Sequence, residues 1–231
     1  MISEKNSLSS FLLGSLLTSY PDDYFVESVT TMLQDETLVI PTKFRNDIEK
    51  TISQYDLMLD LQSEYIDIFD RGRSINPIYE TEYGKNRSLG KANELSDIAG
   101  FYKAFGFDLG DENTTQEMHD HISVELEFYA LLMIKSAYLE FEAQEMEGLA
   151  IVKDARKKFL KDHLGRFAST LSQRPGVQLS PFYSQVFNWI AKLVEEECKF
   201  LTVEPLALEW FATERIQNES IECGALEGTC K

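Results

Sequence analysis

Residues 122–134 read ISVELEFYALLMI. Set on a helix, they are apolar on nearly every side, as expected of a helix enclosed by others. Thr114-x-x-Glu117 ahead of them is a capping-box pattern, which satisfies exposed N–H groups at a helix start. The pattern predicts one long central helix over about residues 115–145. Downstream, Phe159, Leu160, His163, Leu164, Phe167 and Leu171 share one face of a helix over about 149–173. Ser180-Pro181 is an N-cap followed by proline, with Phe182, Val186, Trp189, Ile190 and Leu193 behind it. Pro205 then precedes a last expected helix to about Gln217.

The same periodicity runs upstream. Leu95, Ile98, Phe101, Tyr102 and Phe105 predict a helix over about 94–106, and Leu57, Leu61, Tyr65, Ile68 and Phe69 one over 57–70. Pro41 and Pro21 open two more, and Phe11, Leu12 and Leu16 mark a first over about 7–19. Each proline lies beside a helical pattern, where its missing N–H costs nothing. No segment alternates with period two, and no internal repeat or linker interrupts the pattern. The expectation is an all-α, single-domain helical bundle over residues 1–231, with a long loop at about 71–93 and a short tail from about 218.

The chain has 231 residues, with 22 Lys+Arg against 39 Asp+Glu and a net charge of −17. That balance repels phosphate, so it argues against nucleic acid and anionic membranes and leaves basic partners open. No apolar run approaches the roughly 20 residues of a membrane span, so no stable membrane insertion is expected. Leu8 to Leu17 faintly resembles a signal core, but serines and Gly14 interrupt it and no cleavage site follows. A cytoplasmic protein is expected, and Cys198, Cys223 and Cys230 fit reduced, idle thiols there. Monomer and homodimer both stay open.

The chemical motifs are few. Gly84 to Gly90 has five intervening residues where a P-loop needs four, and Ala92 stands where Ser or Thr should hold magnesium. Lys85, Arg87 and Lys91 offer at most a looser anion contact. His119, His121 and Glu125 are metal-ligand types, but the residues three before the histidines are Gln116, Met118 and Leu160, so no Glu-x-x-His pair exists. No cofactor is expected. Asp120 and His121 open the most apolar helix, where an acid suits the helix dipole and a histidine can reach another helix. The loop 71–93, RGRSINPIYETEYGKNRSLGKAN, is too long to be a mere connection, and loops of that length tend to carry function.

Taken in order, Tyr65-x-x-Ile68-Phe69, Pro77-Ile78-Tyr79-Glu80, Glu117-x-x-Asp120-His121-Ile122 with Glu125-Leu126-Glu127-Phe128, and Phe159-Leu160-x-x-His163-Leu164 resemble the TorD/DmsD/NarJ family of chaperones. These assist assembly of molybdenum-cofactor oxidoreductases. The resemblance runs from about Tyr65 to Leu193. It departs from the family at Met118, where proline is frequent, and at Phe167, the nearest candidate for a frequent tryptophan. It implies an all-α domain, no catalysis, and binding of the N-terminal twin-arginine leader, or a related segment, of an apo catalytic subunit in the cytoplasm. The residues it implies for that binding are Tyr65, Ile68, Phe69, Pro77, Tyr79, Asp120 and His121. Glu80 and Glu82, beside Tyr79 and Tyr83, add carboxylates for leader arginines, and an apolar groove with acids at one end is what such a peptide requires. Two readings of Asp120 and His121 remain: they line the client site, or they form a polar latch between helices. A metal- or nucleotide-dependent enzyme using His121, Asp120 and Glu125 is the competing function.

Overall fold

The structure, a computed structural model, describes residues 4–35, 38–54, 58–84, 87–108 and 118–209. Ten α-helices are described within these segments: α1 (Glu4–Thr18), α2 (Phe25–Gln34), α3 (Thr42–Gln54), α4 (Met58–Tyr65), α5 (Arg87–Ala104), α6 (Ile122–Phe141), α7 (Met146–Asp162), α8 (Leu164–Ser172), α9 (Pro175–Leu179) and α10 (Tyr183–Leu201). Among the described residues there is no sheet, only one antiparallel bridge between Tyr79 and His121. The all-α class expected from periodicity is the one found. No helix of the described residues is long and apolar enough to cross a membrane.

α6 is the axis. Ile122, Leu126, Phe128, Tyr129, Ala130 and Leu132 are all fully buried, as an enclosed helix requires, but Ile134, Tyr138 and Phe141 are exposed, so the enclosure expected for 122–134 is incomplete at its C-terminal end. Helix α1 packs along it, with the Phe11 and Tyr129 rings 4.8 Å apart. α7 packs on another side, with Phe128 and Phe159 at 4.9 Å. Trp189 of α10 stacks on Phe44 of α3 at 4.4 Å and draws the N-terminal helices in. Between α6, α7 and α10 a buried polar group interrupts the apolar core. Arg156 Nη2 donates to Glu197 Oε1 at 2.6 Å, and Tyr129 Oη donates to the same oxygen at 2.7 Å.

Five local readings differ from expectation. The central helix expected over about 115–145 spans only Ile122–Phe141, and residues 118–121 and 142–145 lie outside it. The helix expected over 57–70 changes to a π-helical turn at Ile66–Arg71. Asn76 helps to hold it: its Nδ2 donates to the Ile68 carbonyl inside the turn at 3.3 Å and to the Gly72 carbonyl just past it at 3.4 Å, the latter also accepting from the Ile75 and Asn76 N–H groups. The helix expected from about 94 begins at Arg87, so the long loop is shorter by that much. The helix expected over 149–173 breaks at His163, and α9 follows it unforeseen. Residues 203–209, expected to enter a last helix, carry no helix. They run back over α7 and α8, where the Leu206 N–H donates to the Lys161 carbonyl at 2.9 Å and Thr170 Oγ1 to the Leu208 carbonyl at 3.3 Å. Gly165 allows this return: a Cβ there would meet the Leu160 carbonyl and lie 2.9 Å from Pro205 Cγ. Thr114, Glu117, Lys85, residues 210–217 of the expected last helix, and the expected tail from 218 with Cys223 and Cys230 lie outside the described residues.

Candidate functional site: a strap over the start of helix α6 and an acidic cleft beside it

Residues 76–84 form a strap across the N-terminal end of α6. Pro77 fixes the backbone at its entry, and Tyr83 Oη closes the strap on itself by donating to the Pro77 carbonyl at 2.7 Å. Two backbone bonds tie it down: Glu80 N–H to the Asp120 carbonyl at 2.8 Å and Ile122 N–H to the Ile78 carbonyl at 3.3 Å. Asp120 Oδ2 adds two more, accepting from the Thr81 N–H at 3.2 Å and from the Thr81 hydroxyl. Asp120 therefore holds the backbone of the loop, one of the partners its position at the helix start suggests.

His121 is the N-cap of α6, and its Nδ1 accepts from the Ser123 N–H at 3.2 Å. A backbone N–H can only donate, so Nδ1 is bare and the ring proton sits on Nε2. That nitrogen faces Tyr65 Oη at 3.1 Å, joining α6 to α4. Full burial pushes the imidazole down to about 3, so it is neutral at any ordinary pH. The edge of the Tyr79 ring covers it, with centroids 5.2 Å apart.

Glu80 crosses to the far side of the strap. It is fully buried, with Arg166 Nε at 2.7 Å and His163 Nδ1 at 2.9 Å. The other nitrogen of His163 faces Asp97 Oδ2 at 3.2 Å. Burial alone would lower His163, but the two carboxylates outweigh it and the ring is raised above its usual value. Arg166 reaches on to Glu94 at 3.5 Å. Glu82 is held by Arg73 at 3.1 Å and Lys91 at 2.5 Å. Burial opposes its ionisation, yet these cations leave its acid strength increased.

Of the expected client contacts, the structure brings Tyr65, Tyr79, Glu80, Asp120 and His121 together, but beneath the surface. Tyr65, Ile68, Phe69, Pro77, Asp120 and His121 are buried, Ile68 at the floor of a cleft, and Tyr79 is half-buried. Glu80, expected to offer its carboxylate to a client arginine, is already occupied by Arg166 and His163 of the same chain. That engagement was not readable from sequence, because the partners lie 86 and 83 positions away.

The cleft, of about 510 Å³, lies between α4 with its π-helical turn on one side and α9 on the other. Asp60, Glu64 and Asp67 share one wall, Leu179 and Ser180 form the other, and Ile68 and Asn76 line it between them. Leu179 is 84% exposed. No Lys, Arg or His is among the lining residues, although Asp67 pairs with the exposed Arg71 one turn on, at 2.8 Å. Asn76 fixes its shape, since its Oδ1 accepts from the Gly176 N–H at 2.8 Å while its Nδ2 holds the π-helical turn. The four- and three-residue spacing of the acids was a readable helical face; the opposing α9 wall was not. Among the described residues no three His, Cys, Asp or Glu side chains converge as metal ligands, so His121, Asp120 and Glu125 lack the geometry of a metal centre.

Residues 40–173 match the family model described as nitrate reductase delta subunit. That range runs from just before α3 to just past α8 and includes the strap, His121 and His163. The chain is also 26% identical over 204 residues to the chlorate reductase assembly chaperone protein of Ideonella dechloratans. The alignment covers 87% of this chain and 92% of that protein.

Proposed function

The chain belongs to the nitrate reductase delta subunit family of NarJ/TorD-type chaperones, and from that premise we propose that it is a molybdoenzyme assembly chaperone that works by binding, not by catalysis. It holds the catalytic subunit of its client in the cytoplasm, through an N-terminal leader or a related segment, while the cofactor is inserted. The observation that carries this reading is the cleft, which sets three carboxylates opposite an exposed leucine. A segment with arginines next to apolar residues matches both walls. Each Arg–carboxylate contact that loses its water contributes roughly 1.5–3 kcal/mol, and a surface one much less. Ile68 and Tyr79 meet the client directly, while Tyr65, Phe69, Pro77, Glu80, Asp120 and His121 brace that face from behind.

The test is calorimetric binding of a synthetic client leader to the wild type and to a triple variant, Asp60→Asn, Glu64→Gln and Asp67→Asn. These side chains are exposed or half-buried, so the variant should melt as the wild type does. Its affinity should fall at least tenfold, and Leu179→Asp should weaken binding as well. Equal affinity in both folded variants would remove the cleft from the binding site.

A further inference from the structure

Glu125 lies in the first turn of α6 and is fully buried. Both its carboxyl oxygens lack a hydrogen-bond partner among the described residues. The two carboxylates whose charges act on it are engaged, Glu80 by Arg166 and His163 and Asp120 through Oδ2 by Thr81, although Asp120 Oδ1 lacks a partner among the described residues. A buried carboxylate with no donor is far too costly to keep, so the group takes up a proton instead. The groups that face it agree. Burial is the main influence, Glu80 on the strap and Asp120 before the helix add like charge, and only Arg166 of α8 opposes them. From α5, Tyr102 lies where an ionised Glu125 would oppose its own ionisation, but its hydroxyl donates to the His119 carbonyl at 2.7 Å and is not offered to Glu125.

We propose that Glu125 couples opening of the 76–84 strap to the release of one proton. With the strap down, Glu125 is a neutral acid sealed beneath it. When the strap lifts, Glu80 leaves with it and water reaches the carboxyl, which ionises as an ordinary glutamic acid does. Opening that releases a proton is favoured tenfold for each unit that pH rises, and closure is favoured as pH falls. The effect lies between the ordinary carboxyl range and the raised value of the closed form; outside that window the proton count does not change. This is a regulation of the face described under Proposed function, yet it concerns the strap alone and needs no client.

Hydrogen exchange at the Glu80 and Thr81 amides reads it, since both N–H groups are bonded to Asp120. In the regime where exchange follows the opening equilibrium, rates already rise tenfold per pH unit from the chemistry of exchange. Glu125 adds a second tenfold in the wild type between about pH 5 and pH 6, and Glu125→Gln removes it. The comparison of the two proteins cancels His121, which would gain a proton on exposure, and His163, which would lose one at higher pH on parting from Glu80. Equal slopes in the two proteins would overturn the proposal, as would the same extra slope at Tyr129 and Leu132 amides in the middle of α6, which would place it in global unfolding. Infrared spectroscopy of the wild type alone gives a second reading. A protonated-carboxyl band persisting at neutral pH is expected, and its absence would show that Glu125 is already ionised beneath the closed strap. Normal leader binding with equal slopes would sink this inference and leave the assembly function standing.

Discussion

His121 packs against Tyr79 of the strap and His163 against Glu80, and the two respond to pH in opposite directions. His121 is kept neutral by burial down to about 3, whereas in the unfolded chain it titrates near its ordinary value of about 6.5. Unfolding therefore takes up a proton below that value, and His121 erodes stability as pH falls. His163 is opposed by burial but held up by Glu80 and Asp97. Its contribution is complete below about 6.5 and is lost as pH rises through the raised folded value. His121→Gln should cost about 1–3 kcal/mol at pH 7, from the lost Tyr65 bond and helix cap. That deficit should shrink toward pH 5, because the variant no longer carries the proton uptake. For His163→Gln the deficit should be larger at pH 6 than at pH 8. Urea unfolding of the three proteins across that range checks both signs; a deficit that moves with pH in the same direction for both variants would contradict the assignments.

At the scale of the element, the strap is held by two unlike acids. Glu80 is fully buried between Arg166 and His163, while Glu82 shares partly exposed partners in Arg73 and Lys91. Removing one side of a buried ion pair leaves the other charge without compensation, so Glu80→Gln should cost about 3–5 kcal/mol. Glu82→Gln, whose partners can turn to water, should cost less than about 1 kcal/mol. Chemical denaturation of the two variants checks the contrast, and similar losses would mean that burial is not what distinguishes them. The helices α1 to α3 and α10 were legible because their apolar spacing and flanking prolines act within a few residues, and α6 because its apolar run is local in sequence. Asp120 and His121 were legible as polar residues at a helix start. The break at His163 was not, since Gly165 two residues on lies inside α8 and marks no stop, and the ring is held by the chain-distant Glu80 and Asp97. Residues 203–209 misled for a similar reason: Pro205 is a good helix opener, but backbone bonds to Lys161 and Gly84 take the segment elsewhere. Chain-distant ion pairs leave no periodic signature, and the core of the site is built from them.

For the molecule as a whole, the helices must hold one arrangement around α6 for the strap and the cleft to stand side by side. Apolar packing alone tolerates sliding and substitution, provided volume is kept. The Tyr129–Arg156–Glu197 group ties α6, α7 and α10 at a fixed register, with all three side chains buried. Arg156 Nε also faces Tyr129 Oη at 3.4 Å, which places the phenol between the two charges. Burial, and then the Glu197 charge, raise the ionisation of Tyr129 well above its usual range, so the phenol stays a neutral donor to Glu197. Arg156→Met should therefore cost about 3–5 kcal/mol, because Glu197 is left charged in the core, and Glu197→Leu should cost a similar amount through stranded Arg156. The double variant should recover most of the loss, since apolar side chains of similar volume replace the whole pair at little net cost. A thermodynamic cycle from urea unfolding measures the coupling. Losses in the double variant equal to the sum of the singles would show that the charges do not act as a pair and that packing alone sets the register.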